Sequence, residues 1–175
     1  MNWIRLIIVL FAAALAQATL VPALAIGTAR PDLPLIFALV IAARIPVSRE
    51  WGWRAFWVGW LAGLCVDIFS PGSPMPFGVT AIIYGLAAYS ISNTGPEIFY
   101  DNAVSKVVVL GLACLGANAV LMTLHLLLGN MPRGAVNMVL WTSAYDAAIA
   151  PAAYAAIRPL NKFIGVRERR TFANV

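Results

Sequence analysis

The stretch Trp53–Phe69 reads WRAFWVGWLAGLCVDIF, and its character decides the fold class. It carries only two charged side chains, Arg54 near its start and Asp67 near its end. A transmembrane helix needs about 20 predominantly apolar residues, because the hydrocarbon core of a bilayer is about 30 Å thick and a helix rises about 1.5 Å per residue. The stretch therefore predicts a helix that crosses a membrane.

The rest of the chain has the same character. Of its 175 residues, 62% are hydrophobic and 11% are charged, whereas soluble domains are about 45–50% apolar and about 25% charged. A soluble domain this short could not bury so much apolar surface. We predict an all-α integral membrane protein, a single transmembrane domain over residues 1–175 that forms a compact bundle of six helices with short loops. The spans are expected at about 3–26, 33–43, 53–69, 77–91, 103–128 and 136–157, followed by a basic tail at 158–175.

Two of these segments allow a second interpretation. The segment 33–43 is short and is bracketed by Pro31, Pro34 and Pro46, so it could be tilted, half-inserted or re-entrant, which would leave five spans. The first segment begins like a secretory signal peptide, with a small-x-small site at Ala16–Ala18. Its apolar run nevertheless continues to Ile26, which favours its retention as the first span.

The basic residues indicate how the bundle is oriented. With the N-terminus inside, ten of the twelve Lys and Arg residues lie at cytoplasmic ends, and only Arg30 and Arg133 lie outside. This bias predicts that both termini are cytoplasmic. The formal net charge of +5 then fits contact with anionic lipid. No basic face interleaved with aromatic residues indicates nucleic-acid binding.

Small residues recur at helical spacing in the third span. Ala55, Gly59, Gly63 and Asp67 are four residues apart and form one stripe along the helix. Gly59 and Gly63 make a GxxxG pattern, which lets another helix backbone approach closely. The stripe is therefore expected to pack against a helix of the same chain or to be a docking face for another protein.

Four polar residues within or beside the apolar spans are candidates for buried structural roles. Asp67 precedes a loop rich in proline and glycine, Ser70–Pro76, and could brace its amides or accept a hydrogen bond from His125; a functional carboxylate is the other interpretation. Asn118 and His125 share a semi-polar face of the fifth span. Asp146 lies near mid-membrane in the sixth span and is expected to be a static polar clamp, with a proton or cation route as the alternative.

Catalytic signatures are absent from the sequence. It contains no GxxxxGK[ST], HExxH, GxSxG or CxxC pattern and no carboxylate cluster with metal-ligand spacing. Both cysteines, Cys65 and Cys114, lie inside apolar runs. We therefore expect a protein that is not an enzyme, with no cofactor and no metal.

The sequence GWLAGLCVDIFS at 59–70, followed by PFGVTA at 76–81, resembles the rod shape-determining protein MreD family. Members of that family read roughly as G-x-x-x-G-L-x-x-D, then a loop of small residues, proline and glycine, then F/L-G. The resemblance implies a multi-pass protein of the bacterial inner membrane that belongs to the cell-elongation complex. It also implies association with the bitopic protein MreC and coupling, direct or indirect, to MreB, RodA and a class B penicillin-binding transpeptidase; a homodimer is allowed.

A second class of protein also fits the size and the helix count. Substrate-binding S-components of energy-coupling-factor vitamin transporters are six-helix chains that dock through AxxxA patterns, and the first span contains Ala12-x-x-x-Ala16. The loop Gly129–Gly134 is too short to cover a ligand pocket. An outward cavity of several hundred Å³ lined by polar groups would favour this alternative.

Overall fold

The computed structural model describes residues 2–25, 30–45, 49–70, 75–98, 103–129 and 134–164, and within them it contains helices and no strands. The helices are α1 (Trp3–Thr19), α2 (Val21–Leu24), α3 (Leu33–Ala42), α4 (Arg49–Phe69), α5 (Val79–Ile98), α6 (Ala103–Leu127) and α7 (Ala135–Ile164). The all-helical prediction is confirmed for these residues, and α2 is a single turn. Ile26 and the part of the predicted basic tail beyond Ile164 lie outside the described residues.

The first predicted span is two helices rather than one. Asn2 caps α1, since its side-chain oxygen accepts from the N–H groups of Ile4 and Arg5 at 3.2 and 3.4 Å. α1 ends at Thr19, and the short α2 follows with Pro22 in its first turn. Because proline has no N–H to donate to the carbonyl four residues earlier, Pro22 cannot continue the hydrogen-bond ladder of α1.

Five helices form a closed ring around α3. Each helix in the order α1, α4, α5, α6, α7 contacts the next, α7 contacts α1 again, and α3 contacts all five. Eight residues of α3 are buried, and all of them except Pro34 are at most 1% exposed. An apolar surface on every side of a helix is typical of one that is surrounded by other helices, so the short proline-flanked segment is the centre of the bundle.

The central helix is too short to cross a bilayer alone. Its 10 residues extend about 15 Å at 1.5 Å per residue, which is about half of the hydrocarbon core. A helix of this length reaches at most one membrane surface, and its first residue, Leu33, is half-buried among the surrounding helices. Its free N–H groups need partners there, because unpaired backbone groups are costly away from water.

Length and hydropathy single out one membrane span. Among the described residues, Val107–Leu127 is long and apolar enough to cross a bilayer by itself, with only 17% of its most apolar part buried. Trp3–Thr19, Leu33–Ala42 and Val79–Asn93 are shorter apolar helices. The six-span count and the cytoplasmic position of both termini stay predictions.

Candidate functional site

The small-residue stripe of α4 lies against the backbone of α5. A Cβ atom added at Gly59 would lie 2.2 Å from the carbonyl oxygen of Tyr84, and one added at Gly63 would lie 2.4 Å from Cα of Ala81. Ala55, one turn earlier, is fully buried. The stripe thus faces a helix of the same chain, and these glycines allow the two backbones to touch. In this arrangement the stripe leaves no open face for a partner helix.

Asp67 contacts the segment that leads into α5. Its Oδ2 atom accepts a hydrogen bond of 2.8 Å from the backbone N–H of Gly78, which has φ of +92°. Glycine adopts this left-handed conformation without the steric cost that a side chain would add. The carboxylate is half-buried, and it ties the end of α4 to the start of α5.

Of the two hydrogen-bond partners considered for Asp67, a loop amide is found, and His125 does not contact Asp67 in the part of the chain that the structure describes. Asp67 lies on α4 and His125 on α6, and these two helices do not contact each other among the described residues. The reason is the ring order, in which α5 lies between α4 and α6. The sequence indicates that Asp67 and His125 lie at a similar depth in the membrane. It does not indicate which helices are neighbours in the ring.

Asn118 lies where α6 packs on α7. Its amide donates to the hydroxyl of Ser143 on α7 at 3.3 Å. One turn earlier on the same side of α6, Cys114 is only 2% exposed. Gly111 continues this side, since a Cβ atom there would lie 2.9 Å from the Cβ atom of Ala147. The part of the predicted semi-polar face from Gly111 to Asn118 thus lies in the α6–α7 contact, and His125 is half-buried further along α6.

The first turn of α3 carries the main polar cluster of the described residues. Asp32 is its N-cap, and its Oδ1 atom accepts from the N–H of Leu35 at 3.2 Å. The N–H of Leu33 donates to Gln17 Oε1 on α1 at 2.9 Å. Pro34 has no N–H, and the N–H of Ile36 already bonds to the carbonyl of Asp32 at 3.0 Å. All the N–H groups of the first turn are therefore accounted for inside the protein.

Asp146 and Tyr84 hold the cap itself. The backbone N–H of Asp32 donates to Asp146 Oδ1 at 2.8 Å, and the hydroxyl of Tyr84 donates to Asp32 Oδ2. Asp146 is fully buried, and Tyr84 is 1% exposed. The start of α3 is therefore held by side chains from α1, α5 and α7. Asp146 thus bonds directly to this helix end.

The other end of α3 is also fastened to α7. Arg44, just after α3, donates through Nη2 to the carbonyl of Tyr154 at 3.4 Å. Its guanidinium carbon lies 4.8 Å from the centre of the Tyr154 ring, a distance at which a cation is attracted by an aromatic face. A cation is also favourable near the C-terminal end of a helix. Tyr154 is eight residues beyond Asp146, so about 12 Å of α7 supports the length of α3.

Asp32, Tyr84 and Gln17 were not among the residues chosen from the sequence. The signal for Asp32 was available, because an aspartate directly before an apolar run with proline at its second position is typical of a helix N-cap. No local sequence pattern indicates that Tyr84 or Gln17 contacts the start of α3. Each meets α3 only because the ring closes around that helix.

A small cavity opens beside α1 and α4. Its volume is about 210 Å³, and it is lined by Ala14, Gln17, Ala18, Pro22, Arg30, Val66, Phe69 and Ser70. Pockets that enclose small organic ligands are usually about 300–1,000 Å³. This cavity falls below that range, so it does not support a vitamin-binding S-component.

The described residues do not form a metal centre. No group of three or more His, Cys, Asp and Glu side chains with suitable spacing occurs among them. The cluster contains two carboxylates and an amide that accept from backbone N–H groups at the start of α3, and a phenol that donates to the Asp32 carboxylate. The arrangement is suited to holding helices together, and it contains no nucleophile paired with a base.

A comparison with known protein families finds a match over most of the chain. The family model described as rod shape-determining protein MreD matches residues 1–164, which is nearly the whole chain. No curated protein and no solved structure matches significantly.

Proposed function

The chain belongs to the MreD family of rod shape-determining membrane proteins, and from this membership we propose that it is a non-enzymatic membrane subunit of the bacterial cell-elongation complex. Its role would be to maintain rod shape by helix–helix association with MreC and with the peptidoglycan synthesis machinery. The observation that carries this proposal is the family match over residues 1–164. A role in rod shape determination follows from the family; the partners are the proposed part.

The packing of the bundle supports a structural role. The contacts that bring its helices together are a glycine seam between α4 and α5 and a set of hydrogen bonds around the start of α3. Interactions of both kinds are made within the chain and are strong where the surroundings are apolar. A rigid bundle of this kind would present fixed outer faces to neighbouring proteins.

Large apolar side chains cover those outer faces. They include Ile4, Ile8 and Phe11 on α1, Leu112 and Val120 on α6, and Trp141 on α7, which are between 48% and 71% exposed. In a bilayer such faces contact lipid or another helix. We propose a multi-pass location in the inner membrane with both termini in the cytoplasm, in agreement with the distribution of Lys and Arg.

Two experiments test the proposal. For the topology, a cysteine placed at Asn174 should resist a membrane-impermeant thiol reagent in intact cells, and labelling from outside would mean that one predicted span does not cross.

For the partners, the tagged protein should be extracted from native membranes of a rod-shaped bacterium, and the proteins that come with it should be identified by mass spectrometry. MreC is expected at levels well above a control pull-down with an unrelated six-helix protein. Recovery of an energy-coupling ATPase module in place of MreC would contradict the proposal.

A further inference from the structure

The cluster at the start of α3 contains an oxygen atom without a partner. Asp146 Oδ1 accepts the N–H of Asp32, but Asp146 Oδ2 is buried and has no hydrogen-bond partner among the described residues. The amide of Asn118 faces the Asp146 carboxylate, and the hydrogen bond that it donates, of 3.3 Å, goes to Ser143 Oγ. An ionised carboxylate with one oxygen desolvated and unpaired is costly, because both oxygens share the negative charge.

The charges around the cluster do not balance if both carboxylates are ionised. The groups that face them from the surrounding helices are Gln17 on α1, Tyr84 on α5, and Cys114 and Asn118 on α6. None of these groups carries a positive charge. Arg44 lies at the opposite end of α3 and contacts Tyr154, and Arg30 has an exposed side chain and makes no contact with either carboxylate in the described structure.

The N-terminus of α3 supplies only part of the missing positive charge. A helix N-terminus corresponds to roughly +0.5 of an elementary charge, whereas two ionised carboxylates, fully buried at Asp146 and half-buried at Asp32, would bring two negative charges close together. Like charges that share a buried site disfavour ionisation of both groups. One bound positive charge would remove most of this imbalance.

We propose that Asp146 binds one proton in the folded protein, so that Asp32 and Asp146 together carry a single negative charge. Asp32 is the ionised partner, since its two oxygens accept from the N–H of Leu35 and from the hydroxyl of Tyr84 and it lies at the positive end of α3. Asp146 is the protonated partner, since its Oδ2 atom receives no hydrogen bond. Asp146 Oδ1 can still accept from Asp32 in this state.

Infrared spectroscopy of the full-length protein in lipid vesicles tests this assignment at neutral pH. A protonated carboxylic acid has a carbonyl stretching band that a carboxylate lacks. The wild-type protein should show this band, labelling with [4-13C]aspartate should shift it, and Asp146→Asn should abolish it. Asp67→Asn is the matched control, because Asp67 is a half-buried carboxylate outside the cluster, and it should leave the band unchanged.

Three results would overturn the proposal. The wild-type protein could lack the carbonyl band, its band could fail to shift with [4-13C]aspartate, or the band could remain in Asp146→Asn. Absence of the band together with thermal stability that rises in sodium chloride but not in choline chloride would mean that a metal cation supplies the charge instead. If Asp146→Asn fails to fold, Asp146→Glu labelled with [4-13C]aspartate decides the question: the band should persist without an isotope shift, whereas a band that keeps the shift would place the proton on another aspartate. Loss of the band in Asp67→Asn would also contradict the assignment.

Discussion

The α4–α5 seam and the start of α3 hold helices together by opposite means. At the seam, Gly59 and Gly63 contribute no side chain, and the stabilisation comes from close contact between backbones. At the start of α3, four polar side chains supply hydrogen bonds to a helix end that lies within the bundle. Because lipid removes the hydrophobic drive between helices, a membrane bundle depends on these two kinds of contact. The seam should tolerate no added volume, whereas the cap should tolerate any side chain that keeps its acceptors.

The largest effect is expected from filling the seam. Gly59→Leu combined with Gly63→Leu should lower the free energy of unfolding by at least about 3 kcal/mol, the upper end of what overpacking usually costs, because each new side chain would overlap backbone atoms of α5. Titration with a denaturing detergent on purified protein measures this change.

A glycine elsewhere in the chain is the matched control for this double variant. Gly116 lies on an exposed part of α6, where an added Cβ atom meets nothing within 4 Å, so Gly116→Leu should change stability by less than about 1 kcal/mol. Equal losses in the two variants would mean that the seam is not a close backbone contact.

A smaller effect is expected from removing the cap of α3. Asp32→Ala should lower the free energy of unfolding by about 2–3 kcal/mol, since the hydroxyl of Tyr84 and the N–H of Leu35 lose their acceptor and unpaired buried groups cost about 1–3 kcal/mol. Asp32→Asn keeps an acceptor oxygen and is a good N-cap, so it should cost less than Asp32→Ala. If alanine and asparagine were equally harmful, the charge of Asp32 would matter more than its hydrogen bonds.

The smallest effect is expected at Asp67. Asp67→Ala removes one hydrogen bond to a half-buried carboxylate and should cost about 1 kcal/mol. Asp67→Asn keeps an acceptor for the N–H of Gly78 and should lie within about 0.5 kcal/mol of the wild-type protein. Thermal unfolding in detergent compares the three proteins, and a loss above about 3 kcal/mol for the alanine variant would show that Asp67 has partners beyond Gly78.

The sequence was sufficient where a pattern is local. Hydropathy predicted all the described helices except the single turn α2, and the four-residue spacing of Gly59 and Gly63 predicted a stripe suited to close helix packing. The boundaries differed where apolar runs conceal a break, as at Pro22, or where helices extend beyond them, as α5 extends to Ile98. The uniformly apolar character of residues 33–42 is itself a sign of burial on every side, whereas the short length of the segment pointed to a tilted, half-inserted or re-entrant one.

Contacts that depend on the order of helices around the ring could not be predicted. Asp32 and Asp146 are 114 residues apart, and Asp32 and Tyr84 are 52 residues apart. The sequence gives the approximate depth of each residue in the membrane and no information on which helices are neighbours. For this reason the sequence left open whether Asp67 contacts His125 or the loop amides, and it did not indicate the cluster at the start of α3.

The most direct test of the proposed function is complementation of rod shape in a bacterium that lacks its own MreD-family protein, with Asp67→Asn produced at the same membrane level as the wild-type chain. Both proteins should restore rods of normal width, because a structural subunit needs the acceptor oxygen of residue 67 and not its charge. Gly59→Leu with Gly63→Leu should leave the cells round, whereas Gly116→Leu should restore rods. An Asp67→Asn protein with wild-type thermal stability that leaves the cells round would contradict a purely structural role and would favour one that depends on a titrating carboxylate.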